Sequence, residues 1–277
     1  MAIKVSGVTA IDDNRNLFLD NLTFSDASSL SSLGLAPGTL KWTLDNPNAF
    51  DLSGFNDQFG YVVAASDEYL IVGAYLEDDV GGTTSGKAYI YNVTTGALLF
   101  TLNNPNAYGT SLDDNFGRSV SISGNYAIVG AYFEDDAGGQ SGKAYIYNVT
   151  TGALLFTLNN PTAYSTSLND NFGRSVAISG NYAIVGAYPE DDAGGSDSGK
   201  AYIYSATTGA LLYTLNNPNA YSTGANDQFG FSVAISDNYA IVSAPQEDDA
   251  GGGLSGKAYL FAVQDLTYLD RLVQMVS

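Results

Sequence analysis

The sequence contains no cysteine and no histidine. Disulfides, thiolate nucleophiles, imidazole bases and the usual zinc and haem ligands are therefore excluded. Basic residues are scarce: ten Lys and Arg stand against 29 Asp and Glu, for a net charge of -19. A nucleic-acid binder needs a basic footprint, so no nucleic-acid partner is expected, nor attraction to anionic lipid. No apolar run approaches the roughly 20 residues of a membrane span, so no membrane insertion is expected. The opening "MAIKVSGVTAIDDNRNL" lacks the apolar core, about 7–15 residues long, of a secretory signal, so export by that route is not expected.

What is present is repetition. A Phe-Gly pair recurs at Phe59, Phe116, Phe172 and Phe229. A fixed period of this size signals a repeat architecture. Each unit reads as four short strands rich in Val, Ile and Tyr and broken by Gly, Asn, Asp and Thr. In the third unit the strands fall near 175–179, 182–187, 200–205 and 210–215. The second strand, "YAIVGAY", is almost continuously apolar, where a sheet with one wet face would alternate. Both faces of each sheet must be covered. Four-stranded units stacked face to face around an axis make a β-propeller. A parallel β-helix is the alternative, but its coils are shorter.

A fourth-strand phrase follows each of the first three third strands: "ALLFTLNNPNAY" from Ala97, "ALLFTLNNPTAY" from Ala153 and "ALLYTLNNPNAY" from Ala210. The last unit lacks it, while "TLKWTLDNPNAF" precedes the first Phe-Gly. The economical expectation is ring closure in which Leu40–Leu44 pairs with the strand around Lys257–Val263, hiding two edges. Two chains forming a larger ring is the alternative. The expected fold class is thus all-β: a four-bladed β-propeller over 39–263, an N-terminal attachment arm and linker over 1–38, and a tail over 264–277.

Loop lengths separate the two ends of the blades. The turns from first to second strand and from third to fourth ("TTGA") are short, with Gly96, Gly152 and Gly209 suited to a positive φ. The second-to-third and unit-to-unit loops are long and fall together on the other end, with the acid, the Asn and the aromatics. Long loops on a rigid scaffold are where binding sites tend to lie.

The phrase "FGRSVAISGNYAIVGAY" resembles the FG-GAP repeat, the blade unit of integrin α-chain propellers and of many bacterial surface proteins. The Phe-Gly is intact in all four units. The second half-motif is Gly-Ala-Tyr at Gly73, Gly130 and Gly186, and Ser-Ala-Pro at Ser243. The resemblance implies a propeller over most of the chain. Its integrin calcium loop, Asp-x-Asp-x-Asp-Gly between first and second strands, has no room in the short turns here. "MAIKVSGVTAIDDNRNLFLDNLTF" resembles the opening of structural fibre proteins from tailed phages of marine bacteria. That likeness implies a virion component whose arm docks on other virion proteins or trimerises. Ile3, Val5, Val8, Ile11, Leu17 and Leu19 are the candidate attachment residues.

Four Glu-Asp-Asp triplets hold twelve of the 29 acids: Glu77-Asp78-Asp79, Glu134-Asp135-Asp136, Glu190-Asp191-Asp192 and Glu247-Asp248-Asp249. Clustered carboxylates beside Gly turns are candidate calcium (Ca2+) ligands. The bland alternative is that they cap turns and solvate the face. Asp57, Asp114, Asp170 and Asp227, before each Phe-Gly, read as turn formers bonding nearby backbone N–H groups. Tyr75, Tyr132 and Tyr188 end the second strands, and Phe50, Tyr108, Tyr164 and Tyr221 sit in the inter-unit loops. Rings beside carboxylates and amides suit sugar binding; packing of loops onto blades is the alternative. Paired carboxylates serve glycosidases, but four near-identical acidic loops single out no pair with divergent pKa values. The expected function is therefore non-enzymatic: a phage tail, collar or head-fibre subunit, homo-oligomeric, displaying a propeller toward a host surface glycan or protein. A bacterial surface adhesion protein is the second reading and a carbohydrate-active enzyme the third.

Overall fold

The fold was obtained as a computed structural model. It describes residues 38–48, 56–78, 84–106, 113–135, 140–162, 169–191, 197–219, 226–248 and 253–264. The chain divides into two units, Met1–Leu44 and Asp45–Ser277, and every sheet lies in the second.

All regular structure among the described residues is β. The first sheet contains β1 (Val62–Ala65), β2 (Tyr69–Ala74), β3 (Lys87–Asn92) and β4 (Leu98–Asn103). The second contains β5 (Ser119–Ser123), β6 (Tyr126–Ala131), β7 (Lys143–Asn148) and β8 (Leu154–Asn159). The third contains β9 (Ser175–Ser179), β10 (Tyr182–Ala187), β11 (Lys200–Ser205) and β12 (Leu211–Asn216). The fourth contains β13 (Val233–Ile235), β14 (Tyr239–Ala244) and β15 (Lys257–Ala262). Each is an antiparallel meander with strands in sequence order. These are the four blades of a β-propeller, and the strand positions expected for the third unit are met to within a residue.

The tight turns follow from residue chemistry. In the second unit Asn148 Oδ1 accepts from the backbone N–H of Thr150 and Thr151, and Gly152 then takes φ 70°. A left-handed residue is cheap only without a Cβ. A register shift between Ile146 and Tyr147 accompanies the turn.

Blades stack by one repeated interface. Ile71, Ala88, Ile90 and Leu102 of the first sheet pack on Phe116, Val120, Val129, Tyr145 and Tyr147 of the second. Ile128, Ala144, Ile146 and Leu158 meet the same positions of the third, and Ile184, Ala201 and Ile203 those of the fourth. In the second and third sheets the second strand is thus covered on both faces, which is why its sequence does not alternate. Phe116, Phe172 and Phe229 are fully buried plugs, each set against two tyrosines or, in the last blade, Tyr259 and Phe261. Backbones approach closely here. A Cβ on Gly73, Gly130 or Gly186 would overlap the carbonyl oxygen of Gly117, Gly173 or Gly230 in the next blade.

The strand expected at Leu40–Leu44 is not present. Residues 38–46 are described and carry no strand, and β15 has β14 as its sole pairing partner among the described residues. First strands pack in the order β1, β5, β9, β13, and no comparable contact joins β13 to β1. In the last blade the face that would meet a further blade is exposed at its described residues. Ile241 is 44% and Leu260 67% exposed, against 0–1% for Ile71, Ile128, Ile184, Ile90, Ile146 and Ile203. The residue facing the next blade's backbone is Ser243 in the fourth unit, where the first three have glycine. A hydroxymethyl group there is compatible with a blade that no other blade follows at that distance. The sequence expectation rested on the shared strand phrase and drew nothing from the serine at 243.

Candidate functional site

The long loops do gather at one end of the blades, where each Phe-Gly begins a first strand and each second strand ends; Val62 pairs with Gly73 there and Ser119 with Gly130. Two layers of polar chemistry occupy this end.

The deeper layer is built on the triplet glutamates. Glu77, Glu134, Glu190 and Glu247 are fully buried. Lys87, Lys143, Lys200 and Lys257 donate Nζ to them at 2.7–2.9 Å. Tyr89, Tyr145 and Tyr202 donate their hydroxyls at 2.5–2.7 Å, and Tyr259 does the same. The "Asn-Pro-Asn" phrase of the preceding unit completes each cluster. Asn48, Asn106 and Asn219 donate Nδ2 to Glu77, Glu134 and Glu247 at 2.6–2.9 Å, and Thr162 donates to Glu190. Burial, reinforced by the glutamate each one bonds, holds Tyr89 and Tyr145 protonated well above the usual phenol range.

The first Asn of the same phrase ties the aspartate before each Phe-Gly. Asn46, Asn104, Asn160 and Asn217 donate to Asp57, Asp114, Asp170 and Asp227 at 2.7–2.9 Å. Each of these aspartates, expected as a former of local turns, thus also accepts a side-chain bond across the inter-unit loop. Burial, then the charges of Glu134 and Asp135, push Asp114 up to about 7, with Asn104 and Lys143 pulling the other way. Asp227 is raised by the same causes in its own blade.

The candidate calcium ligands are accordingly divided. The four glutamates are held by Lys and Tyr. Asp78, Asp191 and Asp248 each accept a backbone N–H six residues on, from Thr84, Asp197 and Leu254 at 2.7–2.9 Å. Asp135 is half-buried. Asp79, Asp136, Asp192 and Asp249 lie outside the described residues, as do Phe50, Tyr108, Tyr164, Tyr221 and the arm residues Ile3 to Leu19. Among the described residues no three acidic side chains are grouped to hold a metal ion.

The shallower layer lies at the inner strands. Tyr75, Tyr132 and Tyr188, which the sequence singled out, are brought together with residues it did not: Tyr61, Arg118, Arg174 and Phe231. The Arg118 guanidinium carbon stands 4.1 Å from the Tyr61 ring centre and 5.4 Å from that of Tyr75. Arg174 stands 5.3 Å from Tyr132, 5.6 Å from Tyr188 and 5.8 Å from Phe231. Tyr61 and Tyr75 meet edge to face at 4.7 Å, and Tyr188 and Phe231 at 5.5 Å. Tyr132 feels both arginines: burial raises its hydroxyl, and Arg174 and then Arg118 pull it down. The result is a row of two stacked groups, one around Arg118 and one around Arg174, with Tyr132 within electrostatic reach of both arginines. A sequence signal existed. The residue after each Phe-Gly reads Tyr, Arg, Arg, Phe in repeats that otherwise hardly vary. A cleft of about 410 Å³ between the turns Ala65–Glu68 and Ile122–Asn125 opens at the other end and is lined by no aromatic or cationic side chain.

The model of the FG-GAP repeat matches residues 53–91, 107–147, 162–204 and 220–261, more than half of the chain. The chain belongs to the FG-GAP repeat family. Each FG-GAP match takes in the first three strands of one blade with its triplet glutamate, lysine and tyrosine, while Asn46, Asn104, Asn160 and Asn217 fall outside the matches. No curated protein matches the sequence. Among solved structures, a chain of the "Complex of KlAtg21 with coiled-coil of AgAtg16" is similar at 13% identity and a TM-score of 0.42. That match covers 66% of this chain and 47% of the other, so it spans about half of the other chain's length.

Proposed function

We propose that this FG-GAP propeller is a non-enzymatic binding module of the adhesion type, with its loop-bearing end as the binding face. One observation carries the reading. The repeats agree at the positions that build blades and differ at the inner positions that face outward at that end, Tyr61, Arg118, Arg174 and Phe231. Structural needs repeat with the blades; a ligand that lacks their symmetry does not. The acids argue against catalysis, because all four glutamates share one environment and bond Lys and Tyr.

Within the same proposal the module is a phage virion appendage subunit, homo-oligomeric and displayed toward a host surface. The support is the opening phrase from Met1 to Phe24. A bacterial surface adhesion protein is the competing placement. Replacing Val5, Val8 and Ile11 with Ser should abolish incorporation or oligomerisation, read by light scattering, while the propeller still melts cooperatively. Normal assembly of that variant removes the arm from the mechanism. Calcium belongs to the same proposal, with ligands from the second and third acids of each triplet, because the first is already bonded. Millimolar calcium should then raise the Tm.

A further inference from the structure

The two arginines of the inner row are unusual for this chain. It carries 29 carboxylates against ten cations. Yet among the described residues neither Arg118 nor Arg174 pairs with a carboxylate, and their side chains make stacking contacts only. The four described lysine pairs show that a cation at this end can be matched: Lys87, Lys143, Lys200 and Lys257 each have a buried glutamate. A guanidinium stacked on an aromatic face keeps its N–H edge for an incoming partner, and that edge matches the two oxygens of a carboxylate. Both arginines are half-buried, so the N–H edges are partly desolvated but reachable.

We propose that Arg118 and Arg174, framed by Tyr61, Tyr75, Tyr132 and Tyr188, form a site for a carboxylate-bearing saccharide. The guanidinium edges take the carboxylate. The tyrosine faces take the apolar faces of the sugar rings, and their hydroxyls orient ring oxygens. Tyr132, between the two arginines, is the central platform. The strongly acidic surroundings sharpen the choice. Net charge of -19 repels anions over the rest of the surface, so an acidic ligand is held only where the two arginines locally reverse the sign. A neutral sugar gains nothing from that reversal. This inference rests on the loop-bearing end being the binding face, as proposed above.

The test uses the full chain and an octasaccharide of galacturonic acid, with its methyl ester as the uncharged counterpart. Calorimetric titration should show the free acid binding at least tenfold more tightly than the ester. R118K/R174K, which keeps charge and loses the planar fork, should weaken binding about tenfold. R118A/R174A should abolish it. E68Q, at the opposite end, should bind as the parent does. Circular dichroism melts check that each variant is folded. Equal affinity for acid and ester overturns the proposal, as does full-strength binding by R118A/R174A. No binding of the free acid at millimolar concentration overturns it too. So does tenfold tighter binding of a sulfated galactan octasaccharide or of an octaglutamate peptide. Virion assembly and arm-dependent association are read separately, so loss of saccharide binding leaves the placement of the module to its own experiment.

Discussion

Lys143 donates to Glu134 at 2.9 Å, and both side chains are buried between blades. Such a pair gives little net stability over an apolar pair of similar shape, because two charges have been taken from water. Removing one member is different, since the other is stranded. K143M should therefore cost about 3–5 kcal/mol, with Glu134 keeping only Tyr145 and Asn106 as donors. E134L/K143M should recover most of that loss. Urea denaturation of the three proteins measures it; a double variant no better than K143M would mean the cluster stabilises as a unit.

Asp114 makes stability depend on pH in the direction opposite to an ordinary salt-bridged carboxylate. Its folded value near 7 lies above the unfolded value of about 4. Between the two, the folded state holds more protons than the unfolded state. This group's contribution is thus fully present at low pH and is lost as pH rises through about 7. D114N keeps an acceptor for Asn104 and removes the titration. The gain from D114N should grow between pH 5 and pH 8 in urea midpoints taken side by side. Parallel pH profiles would assign the burial effect elsewhere.

Gly130 and Ser243 occupy equivalent strand positions with opposite tolerance. G130S places a side chain against the Gly173 carbonyl, and backbone cannot step aside as a flexible side chain would. The expected cost is about 3 kcal/mol, at the upper end of overpacking, or failure to fold. S243G should cost less than about 1 kcal/mol, mainly through chain entropy and the lost Ser232 contacts. Thermal melts of both variants decide it, and a comparable cost at the two positions would show that the fourth blade is packed like the others.

The sequence by itself determined the blades. Period, strand phrases and short turns placed the strands to within a residue, because the second strand's apolar run and the glycine turns are local requirements that leave local marks. What only the tertiary structure decided concerns partners far apart in the chain. The triplet glutamates read as solvated or metal-binding acid, and became buried once Lys and Tyr ten or so residues on and Asn from the preceding unit reached them. Tyr75, Tyr132 and Tyr188 were visible, but the arginines between them join the row only when neighbouring blades stack. No strand forms at Leu40–Leu44 because a strand phrase is a local property, whereas a strand needs a paired edge. Whether a fourth blade can be followed by another depends on the space above Ser243, which is set by the approach of two backbones.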